Sequence, residues 1–367
     1  MEHQTGASGN SRITISYRLL MIVGAVMLIA LGFFVQQRWP VPSRQDARLT
    51  MLCVSGFSWE RVMPLHQQGQ LPYLSSLFSR SCSYGDIVSA YFASDAAITA
   101  TLFTGRLPKT HEIYEPKDFL RLKPDSPLRS AIWHELAGQG RQSVVVGFPA
   151  PSGSYGCGQM LVFPQEKPHA LKAAVFEKYV QSIAENRALP PGLMQYLREC
   201  IGSDTERIRR AVDATAACST AHLFVYFEGL GRWQKRLSDN SDSLSESLRS
   251  ELIDDYYKFF DGLLAQLQER LGEQDTFLLL SERGNLNGCP SYWKDFPLLN
   301  ECPATGFFYA TGRHIREGTE PVFIKPADIV PTLVYLDGNP VLSTMNGIVS
   351  FDMLEDEFYF HHKLSYR

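Results

Sequence analysis

A series of short apolar runs, each opening into a loop of small or charged residues, confines this chain to an α/β architecture. The first is Leu49 to Val54, which ends in Ser55-Gly56. Ser143 to Val146, His222 to Phe227, Thr276 to Leu280 and Phe307 to Thr311 share its character. Runs this apolar, with no polar alternation, suit a sheet buried on both faces, which is the setting of parallel strands. Between them, Trp59 to Gln68, Leu71 to Leu77, Arg129 to Ala137, Leu193 to Ala217 and Leu252 to Leu271 read as helices. The last places Leu252, Tyr256, Phe259, Phe260, Leu263, Leu264 and Leu267 at helical spacing, a face for packing on the sheet. Ala96 to Phe103 is small and apolar and closes on Thr104-Gly105, a helix stop, and Ile329 begins a further helix. Strands alternating with helices predict a mostly parallel sheet covered on both faces. Ligands of such sheets bind beyond the carboxyl ends of the strands. Chemistry is therefore expected in the loops after Val54, Phe227 and Leu280.

One segment departs from this pattern. Leu19 to Val35 is apolar and uncharged, bounded by Arg18 and by Gln36-Gln37-Arg38. Its length lies at the lower end of the ~17–25 residues that span a bilayer, and no small-x-small cleavage pattern follows it. The expectation is a single-pass signal anchor at 19–35. It would be preceded by a short flank at 1–18 and followed by a linker at 36–48, a domain at 49–354 and a tail at 355–367. That arrangement makes the membrane a partner through Leu19 to Val35 and puts the domain outside the cytoplasm. A net charge of −4 with no polybasic run argues against a nucleic-acid partner. Seven cysteines show no CxxC or Cys/His spacing of a structural zinc site. Cys53 and Cys218, in apolar surroundings, are expected to be buried thiols.

Six motifs in order carry a family likeness. They are Val54-Ser55-Gly56-Phe57-Ser58-Trp59, Leu71-Pro72-Tyr73-Leu74-Ser75-Ser76-Leu77, Thr104-Gly105-Arg106-Leu107-Pro108-Lys109-Thr110-His111, Val225-Tyr226-Phe227-Glu228-Gly229, Ser281-Glu282-Arg283-Gly284 and Ala327-Asp328-Ile329-Val330-Pro331-Thr332-Leu333. From about Leu49 to Leu354 the chain resembles the type I phosphodiesterase/nucleotide pyrophosphatase group of the alkaline phosphatase superfamily. The resemblance implies an alkaline-phosphatase-like αβα sandwich with a mostly parallel central sheet, here preceded by the N-terminal transmembrane helix. It also implies a site where three aspartates and three histidines hold two zinc ions beside a threonine or serine nucleophile. Such ions lower the nucleophile's pKa and neutralise charge in the transition state.

Carried over residue by residue, every ligand position of that site holds something else. The first-strand aspartate is Ser55, and the nucleophile slot falls on Asp95 with Ser94 beside it. The aspartate and histidine after Glu228-Gly229 are Gly231 and Lys235. The Asp-His pair is Glu282-Arg283, and the last histidine falls on Cys302. No metal is therefore expected. Lys235 and Arg283 become anion-binding candidates, since their charges could replace those of the ions and hold Glu282 and Asp95 together. The expected function is that of a pseudoenzyme. It would be a membrane-anchored, catalytically degenerate phosphodiesterase-like protein, acting by binding as subunit, scaffold or regulator of an envelope assembly with a protein partner there. Two alternatives stay open. One is an active phosphoester hydrolase or transferase with a rebuilt site, using Ser94 or Asp95 as nucleophile. The other is a phosphate or lipid-headgroup binding protein.

Overall fold

In the computed structural model, residues 48–80, 82–89, 94–122, 130–148, 160–163, 189–217, 222–239, 244–268, 275–284, 305–318 and 320–367 are described, with a few isolated positions between them. Eight strands form one sheet: β1 (Leu49–Val54), β2 (Cys82–Val88), β3 (Ser143–Val146), β4 (Met160–Phe163), β5 (His222–Phe227), β6 (Thr276–Leu280), β7 (Thr305–Thr311) and β8 (Val322–Ile324). Their order across the sheet is β4-β3-β5-β1-β6-β7-β2-β8. All neighbours run parallel except β7, which is antiparallel to both β6 and β2. The strands β1, β3, β5, β6 and β7 stand where the apolar runs predicted them. By contrast β2, β4 and β8 escaped the sequence reading. The pattern of β2 alternates in burial, and its Gly85 and Asp86 interrupt any apolar run.

Ten helices matter for the layers: α1 (Trp59–Gln67), α2 (Pro72–Phe78), α3 (Asp95–Thr104), α4 (Pro108–His111), α5 (Ile132–Ala137), α6 (Pro191–Ala217), α7 (Gly229–Ser238), α8 (Glu246–Gln268), α9 (Ile329–Leu336) and α10 (Asp356–His361). Because side chains alternate across a strand, β1 feeds two cores. Leu52 and Val54 join Phe227, Leu279 and the apolar faces of α1, α2, α6, α7 and α8. Leu49, Met51 and Cys53 join Leu278, Leu280 and the buried faces of α3, α5 and α9. The result is the expected αβα sandwich, with residues 45–367 in one compact unit. The helix α8 begins six residues before its first predicted position, Leu252, because its first turns are polar and carry no apolar period. In the tail, α10 sets Phe358 into the second core.

The membrane part of the expected architecture is corrected. No helix among the described residues is long and apolar enough to cross a bilayer. The longest, α6 and α8, carry charges such as Glu206, Arg209, Arg210, Asp254 and Asp255 along their length. The run Leu19 to Val35 lies outside the described residues. The transmembrane helix, the signal anchor, the membrane partner and the single-pass localisation all rested on that run and are withdrawn, and with them the membrane-anchored function.

Candidate functional site

The strands β5, β1 and β6 are adjacent and parallel, so the loops after Phe227, Val54 and Leu280 converge at one edge of the sheet. Backbone bonds fix that convergence. The Ser55 amide donates to the Phe227 carbonyl at 2.8 Å, and the Gly284 amide donates to the Thr305 carbonyl at 2.7 Å. Between them the Ser281 hydroxyl accepts from the Phe57 amide at 3.2 Å and donates to the Arg283 carbonyl at 2.5 Å. Gly56 turns the first loop with φ +80°, and any Cβ there would meet Gln234 Oε1 at 2.3 Å. Only glycine satisfies both demands at this position.

Beside these loops stands the start of α7. Its first amide, from Gly229, donates to Asp204 Oδ1 at 3.2 Å, and Tyr256 donates to the other oxygen of the same carboxyl at 2.9 Å. Burial lifts the Asp204 pKa to about 6, with the nearby Arg207 pulling it partly back. This anchoring presses Gly231 against the first loop. A Cβ on residue 231 would lie 2.5 Å from Ser55 Oγ and 2.9 Å from Ser55 Cβ. Ser55 and Gly231 are therefore fitted to each other in space.

Glu282 is 1% exposed and sits among neutral groups. Tyr226 donates to its Oε1 at 3.1 Å, and the Cys53 thiol donates to its Oε2 at 3.5 Å. Ser55 also bonds the carboxyl. Burial holds the Glu282 pKa above the usual carboxylate range, and the charge of Asp95 pushes the same way. The bonds from the Glu282 backbone, Ser55 and Tyr226 oppose them in part. Burial, followed by the Glu282 charge, pushes the Cys53 thiol and the Tyr226 hydroxyl far up. Neither ionises at neutral pH, so both serve the carboxyl as donors.

Arg283 points away from Glu282, toward Asp95. Its Nε lies 3.0 Å from Asp95 Oδ1, with the arginine side chain 27% exposed and the aspartate 61%. Asp95 opens α3, whose N-cap is Ser94. The Ser94 hydroxyl accepts from the Ala97 amide at 3.2 Å and donates to the Tyr114 carbonyl, so it is committed to shaping the helix end. Thr99, Thr101 and Thr104 return their hydroxyls to carbonyls four residues earlier, which lets this helix, buried from Ala96 to Thr104, carry polar side chains.

Of the positions expected at the site, the fold brings Ser55, Asp95, Gly231, Glu282 and Arg283 together and places Ser94 beside them. Lys235 is exposed on α7 and, among the described residues, pairs with neither Glu282 nor Asp95. Of the two cations, Arg283 faces Asp95 and Lys235 does not join that pair. Cys302 lies outside the described residues, as does Cys218. Sequence reasoning missed Cys53 and Tyr226 as partners of Glu282. Their signal was in the strand register, where Cys53 stands opposite both Tyr226 and Leu280.

These residues do not fit two zinc ions. Gly231 offers no donor, Arg283 is a cation, and Ser55 and Glu282 are engaged with each other in a pocket that closes on Gly231. Among the described residues no group of three or more His, Cys, Asp or Glu side chains could hold a metal. Two of the described histidines stand apart from the site. His222 lies at the opposite end of β5, accepting from the Leu49 amide at 2.9 Å, and His111 is buried against Thr101 at 3.2 Å.

Three structures of known proteins show the same fold at low identity. A candidate sulfatase from Bacteroides thetaiotaomicron is 13% identical, covers 83% of this chain and 73% of its own, and superposes with a TM-score of 0.56. Murine ectonucleotide pyrophosphatase/phosphodiesterase 5 is 12% identical, with 84% of this chain and all of its own covered, at a TM-score of 0.54. A phosphonate monoester hydrolase from Silicibacter pomeroyi is 10% identical over 83% of this chain and 76% of its own, at 0.50. No curated protein matches by sequence. The family model described as type I phosphodiesterase/nucleotide pyrophosphatase matches residues 49–292, which include the loops after β1, β5 and β6. By that match, spanning Ser55, Asp95, Gly231, Lys235, Glu282 and Arg283, the chain belongs to the type I phosphodiesterase/nucleotide pyrophosphatase family.

Proposed function

We propose that this protein binds a phosphate ester in the cleft after β1, β5 and β6, with Arg283 receiving the phosphoryl oxygens, and that it does not hydrolyse the ester by the two-metal route of its family. The observation that carries this is the ion pair at the mouth, where Arg283 already holds an oxyanion, the Asp95 carboxylate, at 3.0 Å. A guanidinium presents a planar fork of donors that matches phosphate as well as carboxylate. Behind it the pocket that would need to hold metal is filled by the Glu282, Tyr226, Cys53 and Ser55 contacts. Binding of a nucleoside monophosphate is recorded for a protein of this fold, since an inactive variant of murine ectonucleotide pyrophosphatase/phosphodiesterase 5 is known in complex with AMP. That protein is 11% identical to this one, so it supports the ligand's chemistry and not its identity.

The test is calorimetric titration with inorganic phosphate, AMP and glycerol 3-phosphate, which separates free phosphate, nucleotide and lipid-headgroup sources. At least one should bind, and Arg283→Gln should weaken it at least ~10-fold, the scale of a lost charge-assisted bond. A parallel assay with bis-p-nitrophenyl phosphate and added zinc should show no turnover. Zinc-dependent turnover would refute the reading. Metal-independent turnover abolished by Asp95→Ala would favour the rebuilt hydrolase or transferase.

A further inference from the structure

We infer that Asp95 is an intramolecular competitor for the anion seat at Arg283, so that a phosphate ester enters by displacing the Asp95 carboxylate. This deepens the binding reading above and rests on it. The first ground is geometric. Arg283 is held at the cleft mouth from its backbone side, its carbonyl accepting from Ser281 Oγ at 2.5 Å and the next amide, Gly284, donating to the Thr305 carbonyl at 2.7 Å. The backbone of Arg283 therefore stays in place when its partner leaves. Asp95 is the movable half of the pair. Its side chain is 61% exposed against 27% for Arg283, and it can turn into water without uncovering any core.

Electrostatics supplies the second ground. The Glu282 carboxyl is buried behind the seat, and the Asp95 charge acts on it. The Asp95 carboxylate thus already faces the Arg283 guanidinium and repels a second anion there. An incoming dianion meets that repulsion unless Asp95 withdraws. An ion pair with one partner largely in water opens at the cost of a population factor of about five or less, so displacement is accessible to a ligand with two or more oxygens for the fork. Asp95 would then keep weakly held anions out and set a threshold for occupancy. The helix end does not need the carboxylate, because Ser94 caps α3 independently.

The experiment is calorimetric titration of inorganic phosphate into the wild-type protein, Asp95→Asn and Arg283→Gln, each checked for folding by a thermal melt. Asparagine keeps the shape of Asp95 and removes its charge. Asp95→Asn should bind phosphate about 2- to 5-fold more tightly than the wild type, while Arg283→Gln should lose at least ~10-fold. Should Asp95→Asn fail to fold, Asp95→Ser tests the same removal of charge and carries the same expectation. Unchanged or weaker binding by the neutral variant, with the wild type still binding through Arg283, overturns the competitor and leaves the binding reading standing. If neither the wild type nor the neutral variant binds inorganic phosphate, AMP or glycerol 3-phosphate, both fall.

Discussion

Gly231 and Ser55 make a physical claim that a double-mutant cycle can break. Replacing Gly231 with alanine places a Cβ 2.5 Å from Ser55 Oγ, 2.9 Å from Ser55 Cβ and 3.2 Å from the Ser55 carbonyl carbon. The hydroxyl could rotate, but it is bonded to Glu282, and the other two atoms belong to a loop pinned by the 2.8 Å bond to Phe227. Some part of the β1 loop must then shift by several tenths of an ångström. Overpacking of that kind costs about 1–3 kcal/mol. Opposing it, alanine in the interior of α7 gains about 1 kcal/mol over glycine. The net expectation is a loss of roughly 0–2 kcal/mol for Gly231→Ala alone. In the Ser55→Gly background the two closest contacts vanish, the helix term dominates, and the same substitution should stabilise by about 0.5–1 kcal/mol. The coupling between the sites is thus about 1–3 kcal/mol. Urea unfolding of wild type, both single variants and the double variant measures it. Additive free energies, within about 0.5 kcal/mol, would refute the idea that these two positions are fitted to each other.

Three further outcomes follow from buried charge. Glu282→Gln removes a buried carboxyl whose pKa is raised in the fold, so its stabilising form is the protonated one, present at low pH and lost as pH rises through the folded value. The variant should melt higher than wild type at pH 7–8, with the difference shrinking toward pH 4, and a difference independent of pH would contradict the assignment. Asp204, with a folded pKa of about 6 against a usual 3.8, binds its proton more tightly when folded. Its contribution is complete below about pH 4 and declines by roughly 3 kcal/mol as pH rises through 6. Asp204→Asn should flatten that slope in urea titrations from pH 4 to 7, and an unchanged slope would place the titration elsewhere. Arg367 lies 2.9 Å from Glu135, a side chain only 9% exposed that also faces Arg106 at 3.8 Å. Arg367→Ala should cost about 1 kcal/mol in thermal unfolding, and no loss would mean that Arg106 and Ser130 satisfy Glu135 alone.

The fold was legible because its information is local. Apolar runs such as Leu49–Val54 and Thr276–Leu280 can be buried on both faces only in the middle of a sheet. The helical period of Leu252 to Leu267 survives any context. Strands β2 and β8 were hidden for the opposite reason. The first alternates in burial, and the second is three residues at an edge. Their identity as strands comes from partners far away in the chain, β7 and β2. The motif order placed Ser55, Asp95, Gly231, Glu282 and Arg283 at one site, and the convergence of three parallel strands delivered them there. Lys235 stands apart from that pair because a helix position sets direction as well as place, and this one faces solvent.

By itself, then, the sequence determined the layered α/β fold, the family, and the replacement of a zinc-ligand chemistry by hydroxyl, glycine and arginine. These are matters of residue type and order. Tertiary structure alone decided what the replacements do. Glu282 turned inward to Tyr226, Cys53 and Ser55, while its neighbour Arg283 turned outward to Asp95. Adjacent residues leaving a strand point to opposite sides, and which side is dry depends on β1, β5 and α3, which come from three distant parts of the chain. A carboxyl and a guanidinium that look like a pair in sequence were separated in this way, one buried among neutral groups and the other in a partly exposed ion pair with Asp95.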